Sequence, residues 1–204
     1  MLPERQLRAA LRKIAPVPIE GPFSRTVALH YLFPKAATVP HVKPQPLWGL
    51  GSKRFGGRYT PKNSFETIYM AKDVVTALQE VQALISIASG PAFTIVSAPW
   101  VTVAIQGLLS SVLDLTQPAN VAAVGSSYQE LTGAWRWVTG QTGEPPTHLL
   151  GRLCHTSRRF DGILYPSSKN PPSGVCVAVF PDRLRKPAYL EVYDPHGNVA
   201  QRLP

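Results

Sequence analysis

Three residue types that could act together on a small anion stand at even intervals in the first half of the chain. Arg58, Tyr69 and Glu80 are each 11 positions apart, in a loop pattern, a strand pattern and a helix pattern respectively. Even spacing has no chemical meaning by itself. A loop, a strand and a helix that follow one another can, however, fold back so that three such side chains converge on one cleft.

The segment "RFGGRY", residues 54–59, has the composition of a phosphate-binding loop. Gly56 and Gly57 permit positive φ angles and a close approach of the backbone to a ligand. Arg54 and Arg58 carry planar guanidinium groups that suit two phosphate oxygens each, as in a pyrophosphate clamp. A glycine turn with solvated arginines fits the same residues. No GxGxxG or P-loop lysine motif is present, so the standard dinucleotide and triphosphate sites are not indicated.

Glu80 lies in a predicted helix, residues 73–88, with Asp73 as its N-cap and Gly90 and Pro91 beyond its end. The carboxylate falls at the rim of the apolar stripe of this helix, which is where a helix borders a cleft. A solvated edge residue would show the same pattern. The stripe consists of Val74, Ala77, Leu78, Val81, Leu84, Ile85 and Ala88.

An aromatic ring and two hydroxyl groups are the remaining candidates. Tyr69 alternates with Ile68 along its strand, and its ring could stack on a base or nicotinamide or pack in the core. Ser167 and Ser168 follow a short predicted strand, and strand ends commonly hold site residues. Neither serine lies in a glycine elbow, so we predict a hydrogen-bonding role and not a nucleophilic one. The sequence does not decide between the two serines.

The elements that must position these residues follow the order of strands, then helices, then strands separated by turns. That order is typical of an α+β fold with a central, mainly antiparallel sheet flanked by helices. A bend or bulge is expected at Pro99. The predicted strands span 22–33, 65–70, 92–105, 162–166, 174–180 and 188–194, and the predicted helices span 73–88, 118–139 and 145–159.

Residues 1–204 are predicted to form a single domain with two elaborations. Residues 1–20 make an N-terminal helix extension, and residues 34–52 make a long ordered loop that is rich in proline. The helix is basic and ends before Pro16, and we expect one face to dock on the domain. The apolar residues of that face are Leu7, Leu11 and Ile14.

The composition limits the classes of ligand and the cellular compartment. Lysine and arginine number 21 against 12 acidic residues, a formal charge of +9, which favours phosphorylated or polyanionic ligands or an acidic partner. Cys154 and Cys176 form neither a disulfide framework nor a zinc motif, as is typical of a reducing cytoplasm. Since there is no signal-peptide core and no run of 18 apolar residues, we expect a cytoplasmic protein without membrane contact.

Two segments resemble the RES domain family, which is named for an arginine, a glutamate and a serine. "GGRYTPKNSFETIYMAKDVVTALQEV" is similar to the family's GGRW, strand tyrosine and ALxEV pattern, and "DGILYPSS" is similar to its late strand ending in PS. The resemblance implies a fold related to ADP-ribosyltransferase toxins and cleavage of the nicotinamide–ribose bond of NAD+. It also implies a toxin neutralised by an Xre-like, helix-turn-helix antitoxin.

The resemblance further assigns roles to the matching positions. Glu80 would stabilise the oxocarbenium character of the ribose as nicotinamide leaves. The arginines would neutralise the pyrophosphate and place an incoming inorganic phosphate, the tyrosine ring would stack, and the serine would fix a hydroxyl or a phosphate oxygen. No metal is expected. The ligand-binding residues are then Arg25, Arg54, Arg58, Tyr69 and Ser167, with Glu80, Arg58 and Tyr69 as the catalytic set.

Three functional hypotheses remain open at this point. The first is an NAD+-degrading toxin that acts by phosphorolysis or hydrolysis, and the second is a mono-ADP-ribosyltransferase that modifies a protein. The third, of another class, is a basic module that binds nucleic acid through Arg54, Arg58 and residues 152–160. Only the third predicts binding that falls steeply with salt and survives Glu80→Ala, and the resemblance argues against direct nucleic-acid binding.

Overall fold

The computed structural model describes residues 1–33, 43–85, 93–94, 99–141 and 143–204. A mainly antiparallel sheet is flanked by helices, which confirms the predicted α+β class. The strands are β1 (Val17–Glu20), β2 (Phe23–Ala28), β3 (Ile68–Ala71), β4 (Leu84–Ile85), β5 (Phe93–Thr94), β6 (Trp100–Asp114), β7 (Gly162–Pro166), β8 (Val175–Val179), β9 (Tyr189–Val192) and β10 (Arg202–Leu203). The helices are α1 (Glu4–Lys13), α2 (Leu50–Phe55), α3 (Val74–Glu80), α4 (Pro118–Ala123), α5 (Tyr128–Thr132), α6 (Trp135–Gln141) and α7 (Pro146–Ser157).

The long strand β6 organises the main sheet. It pairs antiparallel with β1, β2 and β9, and its last residues pair in parallel with β7. From β2 the sheet continues through β3 and β8 to β7, so the path returns to β6 and closes. This closure brings the C-terminal end of β7 close to β3 and to the helix that follows β3.

Apolar layers cover both faces of the sheet. Strand β8 contributes buried side chains to both layers. Cys176 and Ala178 pack with buried residues of α1, α5 and α7, whereas Val177 and Val179 pack in a second layer with β3, β6 and β9. Successive residues of a strand point to opposite faces, so a strand covered on both sides has a continuous apolar sequence. The predicted late strands and the helix within 145–159 are confirmed, whereas the stretch 118–139, predicted to be mostly helical, is divided among the three short helices α4, α5 and α6.

The predicted helix 73–88 is wrong beyond Glu80. It begins as expected, because the Asp73 carboxylate accepts a hydrogen bond from Thr76 N at 2.8 Å. It ends because Gln82 has a φ of 59°, and the Ala83 amide bonds back to Leu78 O in the pattern of a helix C-terminus. The chain then enters β4, which pairs with β5. Pairing with a later segment therefore overrides the helical periodicity, and residues 86–88 lie outside the described residues.

The apolar stripe predicted for this helix is also wrong at its start. Val74 and Val75 are exposed, whereas Thr76, Ala77 and Gln79 are buried. The helix is rotated so that small and polar residues face the sheet. The Thr76 hydroxyl bonds to the Asp73 carboxylate and accepts from the Asn170 side chain, so its burial is accompanied by hydrogen bonding.

Three other boundaries differ from the predictions. The strand predicted over 22–33 is β2, which ends at Ala28 and is followed by a 3-10 turn at Leu29–Tyr31. The predicted loop 34–52 overlaps α2, because residues 50–52 are helical, and its residues 34–42 lie outside the described residues. Within the predicted strand 92–105 the described residues form β5 and the start of β6, which begins directly after Pro99 and continues to Asp114, and residues 92 and 95–98 lie outside the described residues.

The N-terminal helix docks as predicted. Leu7, Leu11 and Ile14 are buried against the domain. Residues 17–20 of the predicted helix extension instead form β1, which pairs with β6 and is part of the sheet. Within the part of the chain that the structure describes, no helix has the length and apolarity needed to cross a membrane.

The arginines of the nucleic-acid hypothesis are largely engaged within the protein. Arg152 forms ion pairs with Glu4 at 3.2 Å and Glu144 at 2.9 Å. Arg159 donates to the carbonyl oxygens at the end of α1, those of Leu11 and Ile14. These contacts fix α1 on α7, and they leave little of segment 152–160 for a phosphate backbone.

Candidate active site

A cleft of about 680 Å³ opens where β2, β3, the end of α3 and the end of β7 meet. This volume is in the range of small-molecule sites. Three of the sequence-predicted residues, Arg58, Tyr69 and Glu80, line it together. Ser168 and Lys169 contribute from the turn after β7.

Glu80, the last residue of α3, is half-buried and held from one side. Its Oε1 accepts a 2.5 Å hydrogen bond from Ser167 Oγ and a 3.2 Å bond from Ser168 N. Both bonds fall on the same oxygen. The carboxylate is thus fixed in orientation, and neither bond uses Oε2.

The Ser167 side chain is fully buried and lies behind Glu80. Its Oγ also accepts from Lys169 N at 3.1 Å and Asn170 N at 3.0 Å, so it organises the turn after β7. Ser167 does not line the cleft, whereas Ser168 does. The geometry gives Ser167 contact with the carboxylate and Ser168 contact with the cleft.

Arg58 connects three parts of the cleft wall. Its Nη1 donates to Leu131 O at 2.7 Å and Gly133 O at 2.9 Å, and its Nη2 donates to Ser168 Oγ at 3.0 Å. A guanidinium has five N–H donors. Nε–H and one Nη2–H therefore take no part in these contacts.

The Tyr69 hydroxyl is committed to the protein interior. It accepts from Tyr59 N at 2.9 Å and lies 2.8 Å from Thr60 Oγ1, whose own hydrogen goes to Thr67 Oγ1. Burial raises the pKa of Tyr69 to about 12, so the hydroxyl stays protonated at neutral pH. Only the ring is left for a ligand. A Cβ at Gly57 would lie 2.5 Å from Tyr69 Oη, so glycine is required for this close packing.

Arg25 and Arg54 lie outside the cleft, in a neighbouring cavity. Arg25, on β2, donates to Tyr69 O at 3.3 Å and Trp48 O at 3.0 Å, and burial lowers the pKa of its guanidinium to about 10. It remains charged at neutral pH. Arg54 is exposed on α2. Arg25 also lines a small cavity of about 50 Å³ together with Tyr69 and Glu80, so the structure separates Arg54, but not Arg25, from those two residues.

The charge balance of the cleft suits an anion. Among its described lining residues, Glu80 is the one carboxylate, against Arg58, Arg136 and Lys169. Opposite charges at such a site raise the local concentration of an anionic ligand. The arrangement can hold phosphate groups beside a single, oriented carboxylate.

The family profile of the RES domain matches residues 34–201, which is most of the chain. The chain belongs to the RES domain family. Glu80, Arg58 and Ser168 are therefore residues of a RES domain that line one cleft of its sheet, and Ser167 lies behind Glu80. The roles given to the individual residues stay predictions.

The relatives of this RES domain include named enzymes. NAD(+) phosphorylase MbcT of Mycobacterium bovis and of Mycobacterium tuberculosis is 34% identical over 87 residues, 43% of this chain and 47% of the relative. The chain thus matches about half the length of these curated relatives. The crystal structure of the M. tuberculosis MbcT–MbcA toxin–antitoxin complex matches with a TM-score of 0.60 at 20% identity, covering 98% of this chain and 90% of that chain. That likeness supports the shared fold.

The cleft of the RES domain includes residues that the sequence did not single out as site residues. Trp100, at the start of β6, and Gln82, after α3, line it. Trp135 and Arg136, from the segment "AWRWV" (134–138), line it as well. Trp137 from the same segment is exposed. The alternation of tryptophan and arginine in this segment is the sequence pattern that could have indicated its place in the cleft wall.

Replacing Ser167 by alanine is expected to lower the free energy of unfolding by about 1–3 kcal/mol. The change leaves Glu80 Oε1 without its shorter hydrogen bond and two part-buried amides of the turn, those of Lys169 and Asn170, without this acceptor. Urea denaturation measures the effect. Ser110→Ala is the matched control, because the buried Ser110 Oγ has no hydrogen-bond partner in the described chain. Equal stabilities of the two variants would contradict the prediction.

His148 makes stability depend on pH. Its ring donates from Nε2 to Gly57 O at 2.8 Å, and burial lowers the pKa of His148 below its usual 6.5. The unfolded chain then binds a proton more readily than the folded protein does. The contribution to stability is complete above pH 6.5 and is lost as pH falls through the lowered pKa.

His148→Gln is expected to reduce the loss of stability between pH 7 and 5. Glutamine keeps a donor for Gly57 O but does not titrate. Unfolding curves at several pH values measure the effect, with the exposed His196→Gln as control. His155 also has a pKa lowered by burial, so some pH dependence should remain. If the free energy of unfolding of His148→Gln changes with pH as steeply as that of the unmodified protein, the role of His148 is contradicted.

Proposed function

We propose that this RES domain degrades NAD+ by breaking the bond between nicotinamide and ribose, with inorganic phosphate as the acceptor. The observation that carries the proposal is the Glu80 carboxylate, fixed through Oε1 by Ser167 and Ser168 in the same cleft as Arg58. The relatives named NAD(+) phosphorylase support the choice of reaction.

The proposed step requires stabilisation of positive charge. As the C1–N bond breaks, the bonding pair goes to the pyridinium nitrogen, nicotinamide leaves as a neutral molecule, and the ribose gains oxocarbenium character. A carboxylate beside the ribose stabilises that charge, and its effect is greatest when it is already oriented before the reaction. Glu80 suits this requirement because its hydrogen bonds from Ser167 and Ser168 already fix its orientation.

The acceptor step needs an anion held on the cleft wall. A phosphate oxygen would form the new bond to C1 and give ADP-ribose 1''-phosphate. Arg58 retains donors for such a ligand, and Lys169 lies nearby on the turn after β7. Arginine and lysine both bind phosphate through charge-assisted hydrogen bonds. Tyr69, with its hydroxyl engaged in the interior, would contribute the face of its ring to nicotinamide or its ribose.

The biological role proposed is that of a cytoplasmic toxin with an Xre-like, helix-turn-helix antitoxin. The fold shared with the toxin of a toxin–antitoxin complex supports this role. The formal charge of +9 suits an acidic antitoxin surface. If charge drives this association, the affinity should fall with increasing salt; equal affinities at low and high salt would contradict an acidic interface.

The experiment is a measurement of nicotinamide release from NAD+ by the purified protein, with and without millimolar phosphate. The second product is identified by mass spectrometry. Release that depends on phosphate and yields ADP-ribose 1''-phosphate supports phosphorolysis. Release without phosphate that yields ADP-ribose indicates hydrolysis, and the absence of release under either condition contradicts the proposal.

A further inference from the structure

A second cavity of about 550 Å³ adjoins the cleft. It lies between the end of β2, the turn Leu29–Tyr31, the segment 45–51 and α2. The two spaces have four lining residues in common: Val27, Tyr31, Gly56 and Arg136. A ligand longer than the cleft can therefore extend from one space into the other.

The lining of the second cavity is rich in aromatic rings. The His30 and Tyr31 rings lie 4.0 Å apart, and Tyr31 meets Phe55 edge to face at 6.4 Å. Tyr31 is 51% exposed and Phe55 is 64% exposed. Phe33 and Trp48 complete the set of rings. Exposed aromatic clusters commonly mark binding sites, and flat rings stack favourably on a heterocyclic base.

The polar groups of the second cavity are positive. Its described lining includes Arg25, Arg54 and Arg136 and no carboxylate. Arg25 Nε is buried and has no hydrogen-bond partner among the described residues, although both of its terminal nitrogens donate to backbone carbonyls. A buried donor without a partner is costly, and a ligand acceptor would satisfy it.

Arg136 stands at the boundary between the two spaces. It lines both, is exposed, and stacks its guanidinium over the Trp135 ring at 4.9 Å. Stacking fixes the plane of the guanidinium and leaves its N–H groups available to an anion. A diphosphate is the part of a dinucleotide that must lie between its two nucleosides, so Arg136 is placed where a diphosphate would cross.

We propose that the second cavity binds the adenosine half of NAD+, with the diphosphate at Arg136 and the nicotinamide riboside half in the cleft beside Glu80. The inference rests on the proposed function and adds a substrate preference to it. The enzyme should favour a dinucleotide over nicotinamide mononucleotide, which contains the same scissile bond but no adenosine. The aromatic wall of the second cavity should account for that preference.

The test compares NAD+ and nicotinamide mononucleotide as substrates for the unmodified protein and for Phe55→Ala. We expect Phe55→Ala to lower kcat/KM for NAD+ about 10-fold, because stacking of one base is lost. The value for the mononucleotide should not change. Tyr193→Ala is the matched control, since the exposed Tyr193 ring lines neither space. Phe55 is exposed, so its removal should leave folding intact, which thermal unfolding checks.

Equal losses for both substrates, or no loss for NAD+, would overturn the inference while leaving the proposed function intact. A second measurement does not depend on catalysis: calorimetric titration with AMP, which should bind the unmodified protein and bind Phe55→Ala more weakly. If neither substrate is cleaved but AMP binds in this way, the proposed function fails and the assignment of the cavity stands. If AMP affinity is the same in both proteins, the assignment fails.

Discussion

Replacing Glu80 by glutamine is expected to lower the rate of nicotinamide release by about 100- to 1000-fold, the usual effect of removing one preorganised electrostatic group. Glutamine keeps the shape of the side chain and an oxygen that can accept the Ser167 hydrogen bond, so the fold of the turn should be preserved. What disappears is the negative charge to which the proposed mechanism assigns stabilisation of the oxocarbenium character. The effect should appear in kcat, with little change in the affinity for ADP-ribose.

Glu191→Gln serves as the control for this measurement, because Glu191 is a carboxylate on β9 that pairs with Arg202 outside the cleft. Its kcat should equal that of the unmodified protein. Release by Glu80→Gln within a few-fold of the unmodified rate would mean that the carboxylate is not needed for bond cleavage. The assignment of chemistry to this cleft would then be wrong.

Gly151→Ala is expected to lower the free energy of unfolding by about 3 kcal/mol or more, as severe overpacking of a core does. Gly151 lies in α7 against the backbone of Tyr59. A Cβ there would overlap the Tyr59 carbonyl oxygen and lie 2.6 Å from its carbon and 2.9 Å from its Cα. Tyr59 is fully buried, so its backbone has no room to retreat. Urea denaturation and the activity of any folded protein would measure the effect.

The matched control for this substitution is Gly51→Ala in α2, where an added Cβ meets nothing within 4 Å. Alanine is the better helix former, so Gly51→Ala should raise the free energy of unfolding by about 0.5–1 kcal/mol. The same substitution is thus expected to lower the free energy of unfolding at one position and to raise it at the other. A Gly151→Ala protein as stable as the unmodified one would show that α7 can move away from residues 57–60 at little cost.

The part of the site that could be predicted from the sequence lies within residues 54–81. Each step there is local: a glycine turn places Arg58, a short strand carries Tyr69, and an Asp73 N-cap starts the helix that ends with Glu80. Because these elements follow one another directly, their order was enough to predict that the three side chains converge. The cleft confirms that convergence, while their chemical roles await the experiments above.

The contacts made by later residues could not be predicted in the same way. Which of Ser167 and Ser168 faces the cleft depends on the direction of the chain as it leaves β7, and that direction is set by pairing with β8. The end of α3 was missed because Gln82 adopts a left-handed conformation that usually belongs to glycine. Local sequence patterns do not report strand pairing between distant segments or the backbone conformation of a single residue such as Gln82.

The placement of Arg54 and Arg58 in two different cavities could not be predicted from the sequence either. Arg54 and Arg58 are four positions apart, and their spacing suggested one clamp. Helix α2 ends between them, and Gly56, with a φ of 81°, turns the chain so that Arg54 and Arg58 line different spaces. The glycine needed for the turn was visible in the sequence, but the direction of the turn was not.

The closed path of the sheet has a consequence for translation. Ser167 follows Glu80 by 87 residues, and β8, which joins β3 to β7, is made later still. A ribosome that has released only the first 160 residues has produced Arg58, Tyr69 and Glu80 but not the strands that close the ring or the serines that hold the carboxylate. The cleft around Glu80 therefore cannot assemble until β7, β8 and the two serines have been made.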